Sequence, residues 1–403
     1  MSKIRFLTSG ESHGKGLAGI LEGIPAGLSI ASGDVNKELS RRQKGHGRGG
    51  RMKIESDTVQ ILSGVRRGKT LGSPICLLIE NRDWKNWAEI MSPEIESSKV
   101  QLVTRPRPGH ADLAGALKYD QKDIRNILER SSARETAMRV ALGAVAKRFL
   151  DEFKIRIGSF VTEIGSIEAH SSKLTLQTTG GQAVHSSEKK LIETFEKAER
   201  SSVRCPDKKA EKEMVRSIDR AKKQGNSLGG VFEVFAIGLP SGLGSHIQWD
   251  TRLESRISQA VMGIQAIKGI EIGCSAFEMA RKPGSEVMDE IFFKKGTGFY
   301  RKTNHAGGIE GGMSNGMPLI IRAAMKPIPT QGKPLKSVDI RTKKLRQAAY
   351  ERSDICAVPA AAVIAEAMVA LVLADSFLEK FGGDSMKEVA RNYKGYVKQI
   401  KEF

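Results

Sequence analysis

The longest apolar stretch of the chain, Ala357 to Ala374, limits the possible folds more than any other feature. It is rich in alanine, carries Pro359 near its start and holds one carboxylate, Glu366, in mid-span. A charge at that depth is expensive in lipid, so the run reads as a buried helix and not as a membrane span. Such a helix needs a sizeable core around it. The 403 residues, 39% of them hydrophobic, suffice for one large domain or two ordinary ones.

Periodicity and turn residues set out the other elements. Lys3–Thr8 alternates as a strand, and Leu17–Ile30, broken by Gly19, Gly23, Pro25 and Gly27, favours strand and turn. Asp34 is placed to cap a helix running to about Arg42. Val59–Gly64 and Pro74–Glu80 read as strands. Gln121–Phe153 has helical spacing interrupted at Arg130–Arg134, and Ile155–Ile167 returns to alternation. Glu188–Ala221 is charged and helical, with Lys208–Lys212 as a solvated face. Leu228–Leu239 and Met317–Lys326 read as strands, Leu253–Ile267 as a helix and Gly296–Gly316 as a long glycine-rich loop. Two helices, Ala360–Phe381 and Ser385–Lys401, close the chain. No repeat or Ser/Pro-rich linker divides it. The expectation is an α+β fold in a single large domain, 1–403.

Lys and Arg outnumber Asp and Glu by 65 to 46, a formal charge of +19. Such a charge suits a nucleic-acid binder, a membrane-surface protein or an enzyme for multiply anionic small molecules. Aromatic residues are only 5% of the chain, which leaves few stacking platforms for single strands. Cys76, Cys205, Cys274 and Cys356 are widely spaced with no C-x-x-C pair, so neither a zinc site nor a redox dithiol is indicated. Reduced, mostly buried thiols in a cytoplasmic protein are expected. The N-terminal residues lack the apolar core of a signal peptide.

Three short patterns imitate known motifs. Gly10-Glu11-Ser12-His13-Gly14 fits the nucleophile elbow, and Gly14-Lys15-Gly16-Leu17-Ala18-Gly19 fits the dinucleotide fingerprint. Both need a following helix, and here glycines and a proline follow instead. Gly64–Thr70 approaches a P-loop but is one residue short between its glycines. More informative is how histidine and arginine are distributed. His13, His46, His110 and His305 all lie beside glycines in loop-like contexts. Arg41, Arg42, Arg48, Arg51, Arg107, Arg134 and Arg352 recur near such loops, as a pocket for a ligand with several negative charges would require. Asp354 adds a carboxylate able to orient a group or accept a proton. The residues alone give an enzyme of polyanionic small molecules with histidine acids and no metal; they do not give the reaction.

Read together, these residues resemble the chorismate synthases. The likeness rests on GESHGKGLAGILEGIP (10–25), ERSSARETAMRVALGAVA (129–146) and RSDICAVPAAAVIAEAM (352–368). GHGRGGRMKIESD, SGVRRGKTLGSPI, RPGHAD and NHAGGIEGGMSNG support it. The resemblance implies a β-α-β sandwich and a cytoplasmic homotetramer with no nucleic-acid or membrane partner. It implies a carbon–oxygen lyase that eliminates phosphate anti-1,4 from 5-enolpyruvylshikimate 3-phosphate. The reaction needs reduced FMN without net redox change, with NADPH at most an indirect reductant, since the chain has no evident extra reductase segment. His13 matches the family's acid near the departing phosphate, His110 the one that protonates the reduced flavin, and Asp354 the carboxylate that tunes flavin N5. Arg42, Arg48, Arg51, Arg107 and Arg134 match substrate-facing arginines. Ser131, Ser132, Ala133, Gln265, Ala266, Gly311, Lys326, Pro327, Ile328, Pro329, Thr330 and Arg352 match flavin-binding positions.

Overall fold

The structure is a computed structural model that describes residues 3–49, 56–94, 101–169, 183–296, 298–351 and 353–403. Two antiparallel sheets enclose a layer of helices. The first sheet joins β1 (Arg5–Ser9), β2 (Gly16–Glu22), β3 (Val59–Ser63) and β4 (Ile75–Glu80) in the order β1-β2-β4-β3. The second joins β5 (Arg156–Ile164), β6 (Ile167–Glu168), β7 (Gly230–Ile237), β8 (Ile267–Ile272) and β9 (Leu319–Met325) in the order β8-β9-β7-β5-β6. The helices are α1 (Ser32–Gln43), α2 (Asp112–Lys118), α3 (Arg125–Ser131), α4 (Thr136–Asp151), α5 (Ala183–Glu199), α6 (Lys208–Lys223), α7 (Leu253–Met262), α8 (Val358–Phe381) and α9 (Met386–Glu402). This is the α+β sandwich that the resemblance implies.

The apolar run forms α8, with Pro359 in its first turn, where a missing N–H is harmless. The helix is long and apolar enough to cross a membrane, yet nearly all of it is buried inside the protein. It packs on α4, and α4 in turn covers β2 and β4 while α8 covers β5 and β7. The two helices approach closely at Gly143, where a Cβ would lie 2.4 Å from that of Ala367. Any larger residue there would force the central layer apart. In β4 the alternation puts Ile75, Leu77 and Ile79 inward, each worth about 1.5–3 kcal/mol on burial. The outer face of the second sheet is covered by α5, through Leu191 and Ala198 against Phe160, Phe235 and Ile237. The outer face of the first sheet stays open, with Leu7 75% and Ile20 46% exposed as register partners.

Glu366 is fully buried in this layer. Arg41 of α1 donates from both Nη atoms to it at 2.7 and 2.8 Å, Lys147 of α4 at 2.8 Å and Ser159 of β5 at 2.6 Å. Burial would raise the Glu366 carboxyl, but Arg41, Lys147 and Arg204 outweigh it and hold the group far below the usual carboxylate range.

Several elements differ from the sequence expectation: the helical stretch expected over 188–221 is broken at 200–207 into α5 and α6, and β8 is a strand where none is expected. Asp34 sits in the first turn of α1 as its third residue, not as the cap; its carboxylate accepts from the Ala31 N–H at 2.8 Å. The helix expected to reach Ile267 stops at Met262, because Gly263 ends it and Ala266 takes φ +67°. The expected loop at 296–316 contains short paired strands at 298–301, 309–310 and 313–314. Cys205 and Cys356 are buried, Cys76 and Cys274 half-buried, and all four are free thiols. Burial pushes Cys205 up to about 11 and Cys356 to about 12, so neither is a nucleophile near neutral pH.

Candidate active site

Chain segments from many elements converge on a cavity of about 930 Å³. They include the β1–β2 turn, the end of α1, the break between α3 and α4, the turn after α7, the segment beyond β9 and the start of α8. The stretch from Gly10 to Lys15 is the turn of an antiparallel hairpin and is followed by a strand, so neither an elbow nor a dinucleotide loop exists. Ser12 Oγ accepts from Ser132 Oγ at 3.1 Å. Asn81 stitches the turn down, donating to Gly14 O at 2.8 Å while its Oδ1 accepts from Arg134 Nε at 2.9 Å.

Arg42, Arg48 and Arg134 share one side of the cavity with two nearby carboxylates. Arg134 Nη1 donates to buried Asp57 at 2.5 Å, and Arg42 Nη1 lies 3.6 Å from the same carboxylate. Arg48 pairs with Asp354 at 2.8 Å, and the Gly49 N–H donates to Asp354 at 2.6 Å. That contact explains part of the glycine-rich loop, since a Cβ on Gly49 would come within 2.9 Å of Ser353 O. Arg42 is fully enclosed. Burial first, and then the repulsion of Arg48 and Arg134, lower it to about 9 against the attraction of Asp57 and Asp354. Among the described residues, three guanidiniums thus meet two carboxylates here, the electrostatic form of an anion site.

Two imidazoles line the same cavity. His13 Nδ1 lies 2.9 Å from Glu129 Oε1, and its ring stacks on Trp87 at 3.9 Å. His110 Nδ1 lies 2.6 Å from Asp112 Oδ1. Burial would raise both carboxyls; hydrogen bonds from the histidines, with Arg125 beside Glu129 and Arg107 on Asp112, hold them below the ordinary range.

Most expected residues meet at this cavity. His13, Arg42, Arg48, Arg107, His110, Ser131, Ser132, Ala133, Arg134, Gln265, Ala266, Lys326, Ile328, Pro329, Thr330 and Asp354 all line it. Pro327 joins Lys326 to Ile328 without lining it, and Gly311 lies at the tip of the 309–314 hairpin, away from the cavity. Arg51 and Arg352 lie outside the described residues. Arg41 belongs to the Glu366 cluster instead. His46 pairs with Asp219 at 2.8 Å, and His305 Nδ1 lies 3.0 Å from Cys274 Sγ; both are elsewhere. Sequence reasoning missed Glu129, Asp112, Asp57, Asn81 and Trp87. Glu129 and Asp112 stand within two of the quoted blocks, but nothing in a linear sequence pairs them with a histidine.

Enzymes that act on multiply anionic small molecules are the class this fold and cavity define. The sequence model of the family described as chorismate synthase matches residues 4–378. A chorismate synthase of Aquifex aeolicus is 58% identical over 99% of both chains. One of Geobacter sulfurreducens is 55% identical over 99% of this chain and all of its own. A crystal structure of chorismate synthase, 49% identical, superposes with a TM-score of 0.79 over 99% of both chains. The chain belongs to the chorismate synthase family.

Proposed function

We propose that the whole chain, 1–403, acts as one domain that converts 5-enolpyruvylshikimate 3-phosphate into chorismate and phosphate by anti-1,4-elimination. The observation that carries this reading is one cavity lined by the buried Arg42, Arg48 and Arg134 and by two carboxylate-held imidazoles. A substrate with one phosphate and two carboxylates suits a cavity lined by several guanidiniums. Arg42, Arg48, Arg51, Arg107 and Arg134 bind and orient it. His13 holds a proton at Nε2 for the departing phosphate, and His110 holds one for the reduced flavin. Asp354, fixed by Arg48 and the Gly49 N–H, is the carboxylate poised to take part in removing the proton from carbon 6.

The cavity also suits reduced FMN. Ile264, Ile328, Pro329, Ala360, Ala361 and Ile364 offer apolar surface to a flat ring. Beside them, Gln265 Oε1 is buried with no hydrogen-bond partner, as an acceptor reserved for a ligand would be. Ser131, Ser132, Ala133, Gln265, Ala266, Lys326–Thr330 and Arg352 would hold the cofactor. Bound there, it supplies electron density to the breaking carbon–oxygen bond without net oxidation. Gly311 would contribute only from another copy or after rearrangement. The enzyme works in the cytoplasm with an external reductant as a homotetramer, a state supported by the open apolar face around Leu7 and Ile20.

The test is anaerobic turnover with chemically reduced FMN, followed by chorismate absorbance. Product is expected with reduced flavin alone, and His13→Ala and His110→Ala should each lose about 10²–10⁴-fold in rate. Folded wild-type protein that forms no chorismate would overturn the reading.

A further inference from the structure

The two histidines are built into the site in the same way, although different elements supply the parts. His13 stands on the β1–β2 turn and meets Glu129 from α3; Arg125, one turn earlier on α3, donates to Glu129 at 3.0 Å. His110 stands just before α2 and meets Asp112 in its first turn; Arg107 donates to Asp112 from Nε at 2.8 Å and from Nη2 at 3.0 Å. Each carboxylate is also tied to backbone: the His13 N–H donates to Glu129 at 2.8 Å and the Arg107 N–H to Asp112 at 3.0 Å. Both carboxylates are almost completely buried.

An ionised carboxylate can only accept hydrogen bonds. Both carboxylates are held in the ionised form, so each facing Nδ1 carries a proton. In the neutral ring Nε2 is then the nitrogen without a proton, and in His110 it lies 3.5 Å from Arg107 Nη2. Trp87 stacks on His13 with an interplanar angle of 24°, and its own Nε1 donates to Asp83 at 3.1 Å, so the ring is held against rotation. Arg107 Nη2, 3.1 Å from His110 Nδ1, offers that nitrogen the opposite kind of partner, but the 2.6 Å contact to Asp112 is the shorter.

We propose that Glu129 and Asp112 are positioning residues that fix the Nδ1–H form of His13 and His110 and stabilise each ring when it carries its second proton. This rests on the proposed function only for what the protons do; the tautomers are a property of the resting protein. The arginines temper the effect by sharing each carboxylate's charge. Among the described residues, the charged groups near His13 include Glu129 and Arg125, with Glu351 3.5 Å from Arg125 and Asp83 bonded to Trp87. Around His110 they are Asp112, Arg107 and Lys326, whose Nζ donates to Gly109 O at 2.6 Å.

The experiment compares the full-length wild type with Glu129→Gln, Asp112→Asn and the conservative Glu129→Asp. Nitrogen-15 histidine spectra of the ligand-free wild type should show Nδ1-protonated rings at positions 13 and 110. Glu129→Gln should change only the first signal and Asp112→Asn only the second. In turnover, Glu129→Gln should lower kcat about 10²-fold with KM little changed, and move the alkaline limb of the pH profile about one unit lower. Glu129→Asp should restore that limb. Nε2-protonated rings in the wild type would overturn the proposal, as would Glu129→Gln with an unshifted pH profile. If a variant does not fold, the wild-type spectrum still decides. Failure of the proposed function would show separately, as absence of chorismate from wild-type protein.

Discussion

Replacing Arg42 with methionine should stabilise the ligand-free protein while destroying its grip on the substrate. The Arg42 guanidinium is fully buried and lowered from 12.5 to about 9. Carrying its charge therefore costs about 5 kcal/mol relative to the unfolded chain, at about 1.4 kcal/mol per unit. This penalty is fully present below about pH 9 and is relieved only as pH rises from there towards the unfolded value. Against it stand hydrogen bonds from Nε and Nη2 to Thr136 Oγ1 and from Nη2 to Ala133 O. Each is worth about 0.5–1.5 kcal/mol, so Arg42→Met should gain about 1–3 kcal/mol. With about 2.1 cal/mol/K of unfolding entropy per residue, 403 residues turn that gain into a melting temperature about 1–4 °C higher. The substrate should reverse the order. At a hundred times its Kd it stabilises the wild type by about 2.7 kcal/mol, roughly 3 °C, and the variant should show almost none of this rise. Melts at pH 7.5 with and without 5-enolpyruvylshikimate 3-phosphate measure both arms. A ligand-free variant that melts below the wild type, or that keeps the full ligand-induced rise, would refute the idea that Arg42 is strained in order to meet an anion.

Two further outcomes follow from the central layer and the open sheet. Glu366→Gln takes the fully buried counter-charge from Arg41, Lys147 and Arg204, which keep only Glu38 and Glu199 at the edge of the cluster, and should cost about 3–5 kcal/mol, or about 4–6 °C. The native Glu366 value is depressed, so its contribution is complete above the unfolded carboxyl value near 4.3 and disappears only in strong acid; melts of wild type and variant should therefore keep a constant gap between pH 5 and 7, and a gap that closes in that range would contradict this. Ile20→Asp sits on the exposed face opposite Leu7, so it should lower the oligomeric state seen by sedimentation while leaving the monomer's circular dichroism intact; an unchanged sedimentation coefficient would place the subunit contact elsewhere.

The parts of this fold that were legible in the sequence are those that local periodicity determines. α8 and α9, the strands of both sheets apart from β6 and β8, and the break between α3 and α4 follow from apolar spacing. The turn at Gly263–Ala266 was not legible, because Ile264 and Ile267 keep a helical spacing after the backbone has left the helix. Composition marked the candidate site as electropositive, and the quoted blocks brought most of its lining to notice. Pairings were hidden for a different reason. Glu129 reaches His13 across 116 residues, a contact created only when α3 docks under the β1–β2 hairpin. Arg41 and Arg42 show the same limit at the shortest range. Adjacent residues on a helix point about 100° apart, so in α1 one guanidinium enters the Glu366 cluster of the core and the next enters the cavity. Their sequence context is shared, and only the positions of α4 and α8 decide which of them is structural and which faces the ligand. The two are also coupled, since a carboxylate that anchors Arg41 from α8 sets the rotation of α1 and with it the direction in which Arg42 points.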